Sequence, residues 1–328
     1  LHFFNVKDLI YMNRLFISIA LLAILASCNK KKEFPDYEYQ SVYFAYQYPV
    51  RTITLGEDVF NTDLDNEHKF KVFAATGGVY YSKKNVNINV AVDNSLLGNG
   101  MLFGAGGAPI KPLPNKYFSL ASNSIVIPEG ELAGAVEVQL TESFFEDPDA
   151  IKNTYVLPLK MTGLSNADTI LSNKNFVLYA VKYVNTWHGN YLRRGKDVIT
   201  GSVNQTNTRH KQYVEDDDVN KLVTRNLKQA EFPVIFKDNT GTNINVTLLL
   251  TFDNDGKCTV SSVTPNVTAT GTGSFVLKGE KNSWGNKDRN ALYLNYEVNL
   301  PTMKVVTTDT LVARDRAVTM ETFTPVNQ

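Results

Sequence analysis

Chemistry at a protein site needs a nucleophile, a base, a metal or a recognition surface, and residues able to supply the first three are scarce and scattered in this chain. Its 328 residues include four histidines, His2, His68, His188 and His210, and two cysteines, Cys28 and Cys258. Neither His-Glu-x-x-His nor Gly-x-Ser-x-Gly occurs, so the motifs of zinc proteases and serine esterases are missing. Two acidic runs, Glu215-Asp216-Asp217-Asp218 and Asp253-Asn254-Asp255, could in principle supply the two carboxyl groups roughly 5–10 Å apart that a glycosidase needs. Adjacent acids in a loop diverge and repel one another, however, so the first run reads as a solvated loop. Calcium is its sharper alternative, because clustered oxygens suit a hard cation, although the spacing of a calcium-binding helix-loop-helix is missing. Asp253 to Gly256 reads as a hairpin turn. Cys258 alternates with polar neighbours and reads as a small core side chain; with Cys28 committed elsewhere it has no partner, which leaves no disulfide framework and no cysteine-based metal site. No catalytic residue, no metal site and no cofactor is assigned, and the expectation is a protein that is not an enzyme.

Recognition makes a different demand. Sugar rings present apolar C–H faces that stack on flat aromatic side chains, framed by amides and arginines that hydrogen-bond hydroxyls. Lys281-Asn282-Ser283-Trp284-Gly285-Asn286-Lys287-Asp288-Arg289-Asn290 has that composition, a polar loop with one Trp at its tip. Trp284, Asn282, Asn286 and Arg289 are therefore the candidate ligand-binding residues, since an aromatic left in a loop forgoes apolar burial and often marks a contact. The alternative places Trp284 folded back over the end of its domain. A second aromatic supply comes from Tyr80-Tyr81 and from Tyr43-Phe44-Ala45-Tyr46-Gln47-Tyr48, where strand alternation puts at least one face in the core; core packing is the expected role there.

The elements that must position these residues begin with a leader. Met12-Asn-Arg14 runs into an apolar stretch over residues 15–26 that ends in Leu25-Ala26-Ser27-Cys28. A cationic start, a short apolar core and small residues before a cysteine are the parts of a bacterial lipoprotein signal, cut before a lipid-modified Cys28. The stretch is too short to span a bilayer, which takes about 20 residues. Residues 1–27 are thus read as leader and signal peptide, 28–36 as lipidated cysteine and linker. The mature part carries 31 basic and 32 acidic side chains with no basic stripe, which gives no electrostatic drive toward nucleic acid.

From Tyr37 onward the pattern is all-β. Strands are expected at 40–47, 70–75, 86–92, 124–127, 135–140, 155–161 and 176–183, with apolar residues at every second place in Val86-Asn-Ile-Asn-Val-Ala-Val92. Seven strands over 37–184 suit an immunoglobulin-like sandwich, with the Gly- and Pro-rich 94–117 as surplus and one helical turn at 143–151, Pro148 in its first turn. A second unit, 185–328, shows long alternating strands at 221–227, 231–236, 245–252, 257–263, 271–277, 291–300 and 303–313, joined by short turns. Such a meander closes most economically into an antiparallel barrel, which removes its exposed edges.

Ile125-Val-Ile-Pro-Glu-Gly-Glu-Leu132, Ser143-Phe-Phe145 and Asn153-Thr-Tyr-Val-Leu-Pro-Leu159 resemble an N-terminal β-sandwich domain of unknown function common in Bacteroidetes lipoproteins, which in some relatives precedes a glycosidase acting on N-glycans. Thr186-Trp187-His188-Gly189-Asn190-Tyr191 looks like the opening of a lipocalin-like C-terminal domain that often follows it. The resemblance implies a cell-envelope lipoprotein of the outer membrane, a carbohydrate-binding accessory protein of a polysaccharide-utilisation system. It transfers no catalytic residue. Trp187, at a strand start between Thr186 and Gly189, reads as the plug of the barrel floor, as an opening Trp is in lipocalin-like folds, and His188 beside it reads as a structural residue at the barrel entrance. Asn29-Lys-Lys-Lys-Glu33 departs from the acidic run of surface-exported relatives, so periplasmic and surface faces both stay open. The competing expectation is a carrier of a lipid or small hydrophobic ligand, which requires Val246, Leu248, Leu250 and Phe252 to line a void rather than fill it. A structural or adhesive subunit is the third reading.

Overall fold

In a computed structural model of the protein, the described residues are 32, 34–48, 50–55, 63–98 and 100–327. The leader and Cys28 lie outside them, so the expected signal and lipidation site have no structural counterpart to report. Residues up to Glu38 form a unit of their own, and the described ones among them hold no helix or strand. Among the described residues no helix is long and apolar enough to cross a membrane.

The strands in chain order are β1 (Ser41–Tyr43), β2 (Val50–Leu55), β3 (Lys69–Gly77), β4 (Val86–Val92), β5 (Lys111–Pro112), β6 (Phe118–Leu120), β7 (Ser124–Ile127), β8 (Ala133–Leu140), β9 (Tyr155–Ser165), β10 (Thr169–Ile170) and β11 (Phe176–Tyr183). There follow β12 (Gly189–Gly201), β13 (Gln205–Arg209), β14 (Asp218–Asn226), β15 (Gln229–Lys237), β16 (Asn243–Phe252), β17 (Lys257–Ser262), β18 (Thr268–Ser283), β19 (Lys287–Asn299), β20 (Met303–Asp315) and β21 (Thr322–Phe323). The all-β expectation holds.

The first part is a sandwich of two sheets, ordered β10-β1-β3-β8-β6 and β21-β2-β11-β9-β4-β7, with β5 attached to β9. Period-2 alternation explains its core: Val86, Ile88 and Val90 of β4 point inward against Val72 and Ala74 of β3 and Val136 and Val138 of β8. The outer face of the second sheet is apolar as well, at Val50, Val156, Leu178 and Ala180. The surplus segment 94–117 covers it with Leu97 and Phe103, and the C-terminal tail adds Phe323, whose ring lies 4.6 Å from Phe103. The helical turn is α2 (Glu142–Phe145), after α1 (Asp63–Asn66). It ends before Pro148 rather than running through it, because Pro148 supplies no N–H to continue the ladder. Phe144 and Phe145 of this turn close the end of the core against Tyr183, whose hydroxyl donates to the Phe145 carbonyl at 2.8 Å.

Eight strands, β12 and β14 to β20, close into an antiparallel barrel, with β20 pairing β12 along Asn190 to Gly201. β13 folds back as a hairpin on β12 outside the ring. Closure is tight at Gly195, where a Cβ would sit 2.1 Å from the Thr308 carbonyl oxygen, so only glycine lets the two strands approach. The connection into the barrel is held by Asn185: its Nδ2 donates to the carbonyls of Asn226 and Gln229, and its Oδ1 accepts from the backbone N–H of Trp187 and His188. Trp187 then stacks on Phe252, centroids 3.8 Å apart and planes within 7°.

Candidate functional site

Trp284 sits in the turn between β18 and β19, a hairpin whose tip runs on past the last pair of β19 with β20, Ala291 with Val312. The turn is possible because Asn282, Gly285 and Asn286 all take positive φ (44°, 68° and 55°), a conformation that glycine and asparagine tolerate best. Asp288 stitches the loop, accepting the Asn282 backbone N–H at 3.1 Å and pairing with Lys281 at 3.0 Å. Trp284 is half-buried and fixed: its Nε1 donates to the Ala313 carbonyl at 3.2 Å, and the Arg289 guanidinium lies 3.5 Å over one ring face. Arg289 Nε also donates to the Trp284 carbonyl at 3.2 Å. The four predicted residues therefore come together in one turn, but in different states. Asn282 and Asn286 are exposed, while Arg289 occupies one face of the indole, leaving a ligand at most the other.

Farther along the same hairpin, Leu277 and Asn290 form one wall of a cleft of about 510 Å³ between barrel and sandwich, lined otherwise by residues including His68, Tyr183, Asn185 and Arg316. Leu277 is 71% exposed, and Asn290 Oδ1 accepts the Lys278 backbone N–H, so this wall is ordered by its own hydrogen bond.

The barrel interior is not a cavity for an apolar cargo at the positions that the carrier reading needs. Val246, Leu248, Leu250 and Phe252 are 0–2% exposed. A void able to admit even water would leave accessible area on its lining, so these side chains fill the space. What sequence reasoning missed is polar. Arg193, Asp197, Thr307 and Asp309 are all buried on the inward faces of β12 and β20. Asp309 accepts from Arg193 Nε at 2.9 Å, from Tyr296 at 2.9 Å and from Arg209 at 2.5 Å; Asp197 accepts from Arg209 and from Thr307 at 2.7 Å. Two guanidiniums and two carboxylates neutralise one another, with no base left over for proton transfer. Its sequence signal is a charged pair four apart around a glycine, Arg193-x-Gly195-x-Asp197, opposite Thr307-x-Asp309.

The other chemistry-bearing groups are also engaged. Cys258 packs in the barrel core, and burial pushes its thiol up to about 12, with Asp253 adding to the effect. His188 Nδ1 accepts the Thr224 backbone N–H at 3.1 Å, and burial first, then Lys221, Arg316 and Lys182, lowers its pKa to about 4. The run expected to be a solvated loop is so only in part. Asp217 is buried, pairing with Arg194 at 2.6 Å and accepting the Lys211 N–H, because a carboxylate beside a strand can satisfy two donors at once. Asp253 is a turn residue accepting from Asp255 and Lys257, as expected. Among the described residues no group of three or more His, Cys, Asp or Glu could hold a metal.

The sandwich corrects one expectation. β1 ends at Tyr43, so alternation does not run on through Tyr48: Phe44 is fully buried, whereas Tyr46 is 69% and Tyr48 51% exposed. Tyr80 and Tyr81 are exposed too.

A family model described as a domain of unknown function (DUF5627) matches residues 186–317, and a second model, for an N-terminal domain, matches 37–168. The crystal structure of a Bacteroides ovatus protein of unknown function is 44% identical, covering 89% of this chain and 100% of its own, with a TM-score of 0.83. Another Bacteroides ovatus protein of unknown function is 13% identical over 87% of this chain and 100% of its own, TM-score 0.43. A third, provisionally described as a carbohydrate binding protein, is 14% identical over 78% and 81%, TM-score 0.31. No match was found among curated proteins.

Proposed function

We propose, from the premise that this chain belongs to the two-domain family of the 44%-identical Bacteroides ovatus protein, that it is a non-catalytic, lipid-anchored protein of the outer membrane that binds glycan at the β18–β19 turn. The observation that carries this reading is the fixed indole of Trp284, backed by Arg289 and flanked by the exposed amides of Asn282 and Asn286. A ring held in one orientation loses little conformational entropy when a sugar stacks on it, and amides on either side can donate to and accept from hydroxyls. The anchor rests on the leader and Cys28. The non-catalytic part rests on the engagement of Asp197, Asp217, Asp309 and His188 in structural bonds and on the burial of Cys258, and no enzyme family is indicated by the relatives.

The test is binding of the soluble protein, beginning at Glu33, to a panel of host and plant polysaccharides beside Trp284→Ala. A central aromatic anchor contributes about 2 kcal/mol or more, so binding should fall roughly thirtyfold in a variant that keeps its circular dichroism. Unchanged binding would move the site off the hairpin. No binding to any member of the panel would remove the glycan reading.

A further inference from the structure

The sandwich holds a second set of recognition groups at the mouth between its two sheets. Ile53 and Leu55 of β2 pack into the core between the sheets, and Arg51 shares their face by alternation. An arginine in a core-facing register is normally paired or absent. Arg51 is exposed at the mouth and makes no ion pair or side-chain hydrogen bond with any described residue. Directly opposite in register stands Tyr179 of β11, half-buried, its ring edge-on to Phe70 at 6.5 Å. Its hydroxyl has no hydrogen-bond partner among the described residues, and burial raises its pKa, so it stays a neutral donor. Tyr46 and Phe73, 69% and 55% exposed, complete a groove of about 170 Å³ with Ala45 and Val177.

We propose that this groove, through Arg51, Tyr179 and Tyr46, binds a ring-shaped carboxylate, a single uronic-acid sugar residue. The guanidinium presents a planar fork that a carboxylate fits bidentately, Tyr179 lines the same groove, and the ring of Tyr46 offers apolar surface to the C–H face of a sugar ring. The volume is below that of pockets for drug-sized ligands, which suits one ring rather than a chain. An inward charge can also serve to guard a sheet edge. That explanation is redundant, because β21 already pairs Arg51 with Thr322, and it leaves the Tyr179 hydroxyl and the exposed rings without a role. This groove is separate from the Trp284 turn and does not rest on the reading given to that turn.

The experiment titrates galacturonate, galactose and benzoate into the whole protein by calorimetry and ligand-observed NMR, beside Arg51→Gln, Arg51→Lys, Tyr46→Ala and Trp284→Ala. Galacturonate should bind at least tenfold more tightly than galactose. Arg51→Gln and Tyr46→Ala should each weaken it at least tenfold, Arg51→Lys should fall between, and Trp284→Ala should leave it unchanged. Equal binding of galacturonate and galactose, or full affinity in Arg51→Gln, would overturn the proposal. So would benzoate binding where galacturonate does not, since the carboxylate would then be carried on an aromatic ring and not a sugar.

Discussion

Asp309 is the residue on which the barrel interior most depends. It is 1% exposed, and its two oxygens serve Arg193, Arg209 and Tyr296. Asp309→Asn keeps the shape but removes one negative charge, so the cluster is left with an uncompensated guanidinium and an amide N–H facing another donor. Breaking a buried ion pair by removing one partner costs about 3–5 kcal/mol, because the surviving charge stays desolvated. Arg193→Met alone is gentler, since Asp309 still has Arg209 and Tyr296. Arg193→Met with Asp309→Leu removes a balanced pair and leaves Arg209 with Asp197, so the double variant should lie within about 2 kcal/mol of the parent. Urea unfolding followed by tryptophan emission is the assay, because the protein's two tryptophans, Trp187 and Trp284, both lie in the barrel and report on it alone. A loss below about 1 kcal/mol in Asp309→Asn, or a double variant no better than the sum of the singles, would refute the reasoning and mean that water, not the carboxylate, solvates Arg193.

Two further predictions concern the entrance to the barrel. His188 has its pKa lowered to about 4 by burial and neighbouring cations, below the unfolded value, so it stabilises the fold fully above about pH 6.5 and loses that contribution as pH falls toward 4. Stability of the parent relative to His188→Asn should fall by up to about 3 kcal/mol between pH 7 and pH 4, and a flat difference would show the imidazole is solvated. Trp187→Ala should cost about 3–5 kcal/mol, whereas Trp187→Phe should cost much less, because the lost indole N–H is buried without a partner among the described residues and Phe can keep the stack on Phe252. Equal thermal shifts for the two variants would mean that the stack contributes nothing.

Most of the fold was legible because its strands obey one rule. β4, β7 and β11 match the expected spans of 86–92, 124–127 and 176–183 to the residue, and each alternates or runs apolar as a strand buried on one or two faces must. Two of the strands that apolar alternation does not reach share a cause. β2 and β12 were both missed, and in each the core-facing register carries an arginine, Arg51 in one and Arg193 with Gly195 and Asp197 in the other. A pattern search for apolar alternation cannot find a strand whose inner face is charged. The loop after β1 failed in the opposite sense: Tyr43 to Tyr48 alternates as a strand should, but the chain has to cross from one sheet to the other there, and the crossing takes its tyrosines out of the core. The Trp284 turn was legible as a loop from its Gly and Asn, whereas the Arg289 stack was not, since a contact across five residues depends on turn geometry that composition does not specify.

Those two arginines separate structure from readiness to bind. Arg193 is buried, and its Nε and Nη2 donate to Asp309 and Tyr296, with its guanidinium 5.2 Å from the Phe232 ring. A ligand carboxylate there would have to displace Asp309, losing as much as it gains, so the cluster holds the barrel closed between β12 and β20. Arg51 occupies the equivalent register in the sandwich with no described carboxylate beside it, in contact with solvent, facing a phenol that is likewise unpaired. An exposed guanidinium pays its desolvation on ligand binding, and a ligand carboxylate would supply the counter-charge that no described residue places beside it. The same sequence signature, a cation where a core residue is expected, thus marks a fastening in one domain and an open position in the other, and the difference is whether a carboxylate among the described residues stands beside the guanidinium.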